Sequence, residues 1–178
     1  MKKKYIFFTL MLSLGMFISS TALMAQSSSV VVLDSKTTAE TNAATPDAVD
    51  GDANDVQVLK TGDGSGDRES YVKFDIRDVS TENLSYAAIT LLGGQHNGED
   101  DVIDPYDVEI YTCEDTAWSR EDLTWNTATS FTIGDNPLTK ANVMGFGTYR
   151  FYAPDLTQYL IDQKKHGAAF VAFTFAAK

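Results

Sequence analysis

Six residues near the middle of the chain alternate in character. In "YVKFDI" (71–76), Val72, Phe74 and Ile76 point one way, while Tyr71, Lys73 and Asp75, with Arg77 beyond, point the other. A period of two marks a strand, because successive side chains on a pleated backbone face opposite sides of the sheet. Similar patterns predict strands over 30–33 ("VVVL"), 56–60 ("VQVLK"), 86–94, 106–114, 146–154 and 168–177, the last apolar enough for a central position. The stretch 34–55 ("DSKTTAETNAATPDAVDGDAND") is polar, small and acidic, and reads as a long loop. "TGDGSGD" (61–67) reads as the tip of a hairpin joining 56–60 to the alternating strand.

One segment breaks the pattern. In "DLTQYLIDQKKHG" (155–167), Asp155 suits an N-cap, Leu156, Tyr159 and Leu160 share a face, and Lys164 and Lys165 precede Gly167. These are the start and stop signals of one short helix. Strands otherwise dominate, with turns every dozen or so residues. The fold predicted is all-β: an antiparallel β-sandwich of jelly-roll or Greek-key type with one short helix near the C-terminus.

Charge and targeting narrow the picture. Lys2, Lys3 and Lys4 precede an apolar run from Tyr5 to Ile18, and small residues follow to Ala25. That order is a secretory signal over 1–25, with Ala22 a second cleavage position and a domain over 26–178. The expected location is extracellular or periplasmic, with no transmembrane segment in the mature chain. Net charge is −11, and loss of the three leader lysines deepens it, so nucleic acid is a poor partner. Cys113 is the single cysteine, which excludes an intrachain disulfide; it reads as a buried small hydrophobe.

Two stretches together resemble a known family. "RESYVKFDI" (68–76), followed about forty residues later by "VEIYTCEDTAWSREDLTWNTA" (108–128), is similar to the DNRLRE-domain family, also classed as carbohydrate-binding module family ninety-six. Arg68, Tyr71, Val72, Phe74, Asp75, Tyr111, Trp118, Ser119, Thr124, Trp125 and Asn126 fill the family's pattern, and Arg120 stands where an acid is expected. The resemblance implies a secreted, non-catalytic β-sandwich attached to polysaccharide-degrading or surface proteins, with alginate binding among its members. Family members continue past the strand matched by "AFVAFTF", whereas this sequence stops at Lys178. The expectation is therefore either a truncated chain or a last strand supplied from elsewhere, with the apolar strand's edge left open and suited to strand exchange with a neighbour.

Candidate chemistry falls into three groups. Sugar rings stack on aromatic planes, and uronates suit Arg and Lys. Tyr71, Lys73 and Arg77 on one strand face, with Lys60 and Arg68 nearby, are thus the candidate carbohydrate-binding residues. Clustered carboxylates in 47–55, 62–67 and 98–104 suit Ca²⁺, with Asp50, Asp52, Asn54 and Asp55 the candidate ligands. The first cluster is no EF-hand, since Asp55 stands where Gly is required and Thr61 where the bidentate acid belongs. Trp118 and Trp125 read as core or lid residues. For catalysis, no Gly-x-Ser-x-Gly elbow occurs, and His166 at a helix end is explained by the helix dipole. The reading is a polysaccharide-binding module, not an enzyme, that works beside catalytic or surface proteins of the same secretion route. A structural or adhesive module without glycan binding is the first alternative, and a small hydrolase or lyase centred on His96 or on paired acids the second.

Overall fold

The structure is a computed structural model, and it describes residues 31, 33, 35–50, 56–58, 60, 63–93, 105–144 and 146–177. Seven strands and two helices follow in order: β1 (Thr37–Asn42), β2 (Arg68–Asp75), β3 (Ala88–Gly93), β4 (Tyr106–Cys113), α1 (Trp125–Ala128), β5 (Thr139–Val143), β6 (Gly147–Tyr152), α2 (Pro154–Lys165) and β7 (Phe170–Ala177). Five of them form one sheet in the order β1-β2-β7-β4-β5, and β3 pairs with β6 in a second. Every pairing is antiparallel. The predicted β-sandwich is what the chain forms.

The core between the sheets follows from the alternation. Val72 lies opposite Phe173, which lies opposite Thr112; one step along, Ser70, Phe175 and Ile110 are in register. Val72, Ile110, Phe173 and Phe175 pack with Ile89 and Phe151 from the smaller sheet and with Leu156 from α2. Phe151 meets Phe175 edge to face at 6.0 Å, a geometry that aromatic quadrupoles favour. Helix α2 lies where the sequence placed it, but its cap is Ala153, with Pro154 opening the helix and Asp155 in the first turn. Gly167 ends it at φ +79°, a conformation that costs other residues more than glycine.

Four local expectations need correction. Val31 and Leu33 are exposed and in no strand, and the rest of 30–33 lies outside the described residues. The "loop" over 34–55 contains β1, whose Thr38, Ala39, Glu40, Thr41 and Asn42 are all buried. Its polar letters concealed a strand, because its backbone pairs along β2 while a buried charge and hydroxyls fill its faces. Residues 56–58 and Lys60 form no strand either. Val56 and Val58 do pack on the core, but the amide of Gln57 bonds the Ser70 hydroxyl at 2.8 Å and that of Lys60 the Tyr106 hydroxyl at 2.7 Å. Side-chain oxygens replace the ladder there, so β2 has β1 and β7 as neighbours and no hairpin partner among Val56, Gln57, Val58 and Lys60. Finally, β7 has no open edge: β2 and β4 flank it, and β1 and β5 are the edge strands.

A second apolar layer covers the other face of the large sheet. Residues 114–133 cross it and bury Trp118, Leu123 and Ala128 against Ala39, Tyr71, Cys113 and Ala172. Within this layer Thr124 caps the one-turn helix α1, trading bonds with Thr127 in a capping box. Cys113 is fully buried, and burial, its main cause, pushes the thiol up to about 11. Native protein should therefore react with a thiol reagent on the order of a hundredfold more slowly than denatured protein; equal rates would contradict the burial.

Candidate functional site

The row Tyr71, Lys73 and Arg77 does not form a wet surface. Tyr71 is 2% exposed, wedged edge to face between Trp118 and Phe131. Lys73 is half-buried: its ammonium donates to the carbonyls of Thr116 and Trp118 at 3.0 and 2.6 Å and lies 4.6 Å from the Trp118 ring centre. Burial, and then the charge of Lys36, lowers its pKa. A period of two predicts an open face here because it does not reveal that a second layer crosses it. Arg77 does remain exposed, forked onto Asp75 beside Phe170. The arrangement makes Tyr71 and Lys73 a latch for the 114–133 layer, while Arg77 shares with Lys73 only the Phe170 ring, at 5.5 and 5.9 Å from its centre.

Lys60 and Arg68 lie near one another at the other end of β2, and each holds a carboxylate. Lys60 bonds Asp67 at 2.5 Å; Arg68 bonds Glu40 at 2.5 Å and Gln57 at 3.2 Å. They border a groove of about 350 Å³ that also includes Glu69, Tyr111, Asp135 and Thr174. A neighbouring hollow, sharing Glu69 and Ile133, is lined by Trp125 and Phe131. The Tyr111 hydroxyl donates to Glu109. Burial first, then Glu109 and the charge of Glu69, push that phenol up to about 12.

Of the candidate calcium ligands, Asp50 accepts a bond from the Thr45 hydroxyl at 2.7 Å and bridges Glu40. Asp52, Asn54 and Asp55 lie outside the described residues, as do His96 and the 98–104 cluster. Among the described residues no three His, Cys, Asp or Glu side chains gather as a metal site would require. His166 caps α2, with Nδ1 2.8 Å from the Asp162 carbonyl.

An exposed face that the sequence reading passed over is the outer side of β3 and β6. Register pairs Ala88 with Tyr152, Thr90 with Arg150 and Leu92 with Thr148. Alternation sends Ile89 and Phe151 inward and Thr90, Leu92, Thr148, Arg150 and Tyr152 outward. Tyr86 stacks on Tyr152 with ring centres 4.4 Å apart and planes 23° apart. The Arg150 guanidinium lies 4.7 Å from the Tyr86 ring centre. Arg150 enters no ion pair with any described residue. Tyr152 is 47% and Leu92 71% exposed, on the same side of the smaller sheet as Arg150. The signal is present in "GTYRFY", whose alternation gives the strand and also places Thr148, Arg150 and Tyr152 on one face.

An antiparallel sandwich with an open aromatic and cationic sheet face has the construction of a binding module. The chain belongs to carbohydrate-binding module family 96, which it matches over residues 26–178. It is also 29% identical over 131 residues to a gellan lyase from Bacillus sp, a match covering 72% of this chain and 5% of that protein's length. No helix among the described residues is long and apolar enough to cross a membrane.

Proposed function

We propose that this carbohydrate-binding module holds an acidic polysaccharide, without cleaving it, on the outer face of β3 and β6. One observation carries the reading: an exposed, stacked Tyr86–Tyr152 pair lies beside a guanidinium that no carboxylate of a described residue engages. The aromatic rings offer a plane for the C–H face of a pyranose. Arg150 offers a fork of donors that matches a uronate carboxylate. A chain of net charge −11 repels polyanions at long range, but screening over about 8–10 Å lets a local cation act at contact.

Family membership supports carbohydrate binding; the gellan lyase relative makes gellan one polymer to try. Export through the leader at 1–25 would bring the module to such polymers, beside secreted enzymes or surface proteins. A calcium ion at Asp50, Asp52, Asn54 and Asp55 is a separate proposal resting on carboxylate density. It is tested by melting with added Ca²⁺, where a hundredfold excess over the dissociation constant adds about 2.7 kcal/mol.

Affinity electrophoresis against alginate, pectin and gellan, with Arg150→Gln run alongside as control, tests the main reading. Retardation by at least one acidic polymer is expected, stronger at low salt, with no fall in polymer viscosity. Absence of retardation on all three acidic polymers would favour a structural or adhesive module instead.

A further inference from the structure

We infer that the groove on the opposite face, over β2, β7 and β4, is a second carbohydrate site, one that takes a neutral, hydroxyl-rich sugar. Strand register builds it with near mirror symmetry. Tyr71 and Tyr111 flank Thr174, and one step along the strands Glu109 lies opposite Ala176, with Glu69 lining the groove beside it. Each phenol donates to the carboxylate two residues before it, Tyr71 to Glu69 at 2.9 Å and Tyr111 to Glu109. The second oxygen of each carboxylate has no partner among the described residues. Between them, β7 presents only Thr174 and the small Ala176, leaving room for a ring. The volume of about 350 Å³ falls in the ~300–1,000 Å³ range of small-ligand sites.

An independent observation points to a ligand. Thr174 is 2% exposed and lines the groove, and its hydroxyl, beside Tyr71 and Cys113, makes no well-aligned hydrogen bond to either. A buried hydroxyl left without a well-aligned partner is costly, and a sugar hydroxyl reaching the floor would satisfy it.

Charge selects the class of sugar. Lys60 and Arg68 at the rim are already engaged by Asp67 and Glu40, while Glu69, Glu109 and Asp135 face the same side with no cation bonded to them among the described residues. A uronate carboxylate entering there would meet like charge. Neutral hydroxyls would instead donate to ionised acceptors, the stronger kind of hydrogen bond. The groove and the Arg150 face would thus divide neutral from acidic sugars.

The test titrates the full chain with galactomannan, xyloglucan and mixed-linkage β-glucan. At least one should bind. Glu69→Gln with Glu109→Gln should weaken that binding on the order of tenfold or more. Thr174→Val should weaken it on the order of fivefold while raising Tm by roughly 2–4 °C, because the variant removes a poorly partnered polar atom. A residue needed only for folding would not give that opposed pair of effects. Arg150→Gln should leave neutral-polymer binding unchanged, which separates this site from the acidic one. Failure of all three polymers to bind, or Thr174→Val leaving affinity unchanged or lowering Tm, would overturn the inference.

Discussion

Phe175→Ala should destabilise the protein by about 3–5 kcal/mol, the cost of emptying a large aromatic site that cannot collapse. Phe175 is fully buried on the central strand, with Ser70 and Ile110 as cross-strand neighbours. Its ring meets Phe151 of the smaller sheet, so the deletion removes packing within one sheet and between the two. At roughly 2–4 °C per kcal/mol for a chain of this size, Tm should fall by about 10 °C. Urea titration should show the midpoint shift with little change in slope, and Phe175→Leu should cost much less. A loss under about 1 kcal/mol for the alanine variant would mean that the two sheets do not share the core described.

Arg68→Met should cost nearly as much, by a different route. Glu40 is 1% exposed, and the Arg68 guanidinium 2.5 Å away holds one of its oxygens. Methionine keeps much of the arginine stem's volume but removes the cation, leaving a carboxylate inside the protein without that partner. Breaking a buried pair in this way costs about 3–5 kcal/mol; with a third of the Arg68 side chain in water, the lower end is expected. The paired variant Arg68→Met with Glu40→Leu should recover most of the loss, since apolar replacements for both partners are often neutral. Chemical denaturation of the two variants checks this. If the double variant is as unstable as the single one, the cost comes from packing and not from the charge.

These two residues also show how far the sequence could be read. The alternation that predicts β2 also predicts Val72 and Ile76 in the core, because one face of a strand must be buried. It cannot say whether the other face is covered. Tyr71 and Lys73 are held beneath the 114–133 segment, and only tertiary structure reveals that layer. The motif that carries the family resemblance is thus largely a device of construction: Arg68 neutralises Glu40, Tyr71 packs on Trp118, and Lys73 ties down the Trp118 carbonyl.

Strand β1 was illegible for a related reason. "TTAETN" has the composition of a loop, and its burial depends on hydroxyls, an alanine and a paired charge instead of on hydrophobic letters. The short β5 "TKANV" alternates too weakly to stand out. By contrast β4, β6, β7 and α2 are where their periodicity puts them, because each buries a continuous apolar face or stripe. The Tyr86–Tyr152–Arg150 face falls between these cases. Its strands were legible, but the stacking of Tyr86, which lies outside both strands, on Tyr152 required the fold.

The most direct measurement is calorimetric titration of an oligouronate into the wild-type chain and into Arg150→Gln and Tyr152→Ala, with reducing ends assayed in the same cell. Binding in the wild type, a weakening of about tenfold in each variant, and no release of new reducing ends is the result predicted. Affinity unchanged in both variants, or accumulating reducing ends, would contradict a binding face on β3 and β6.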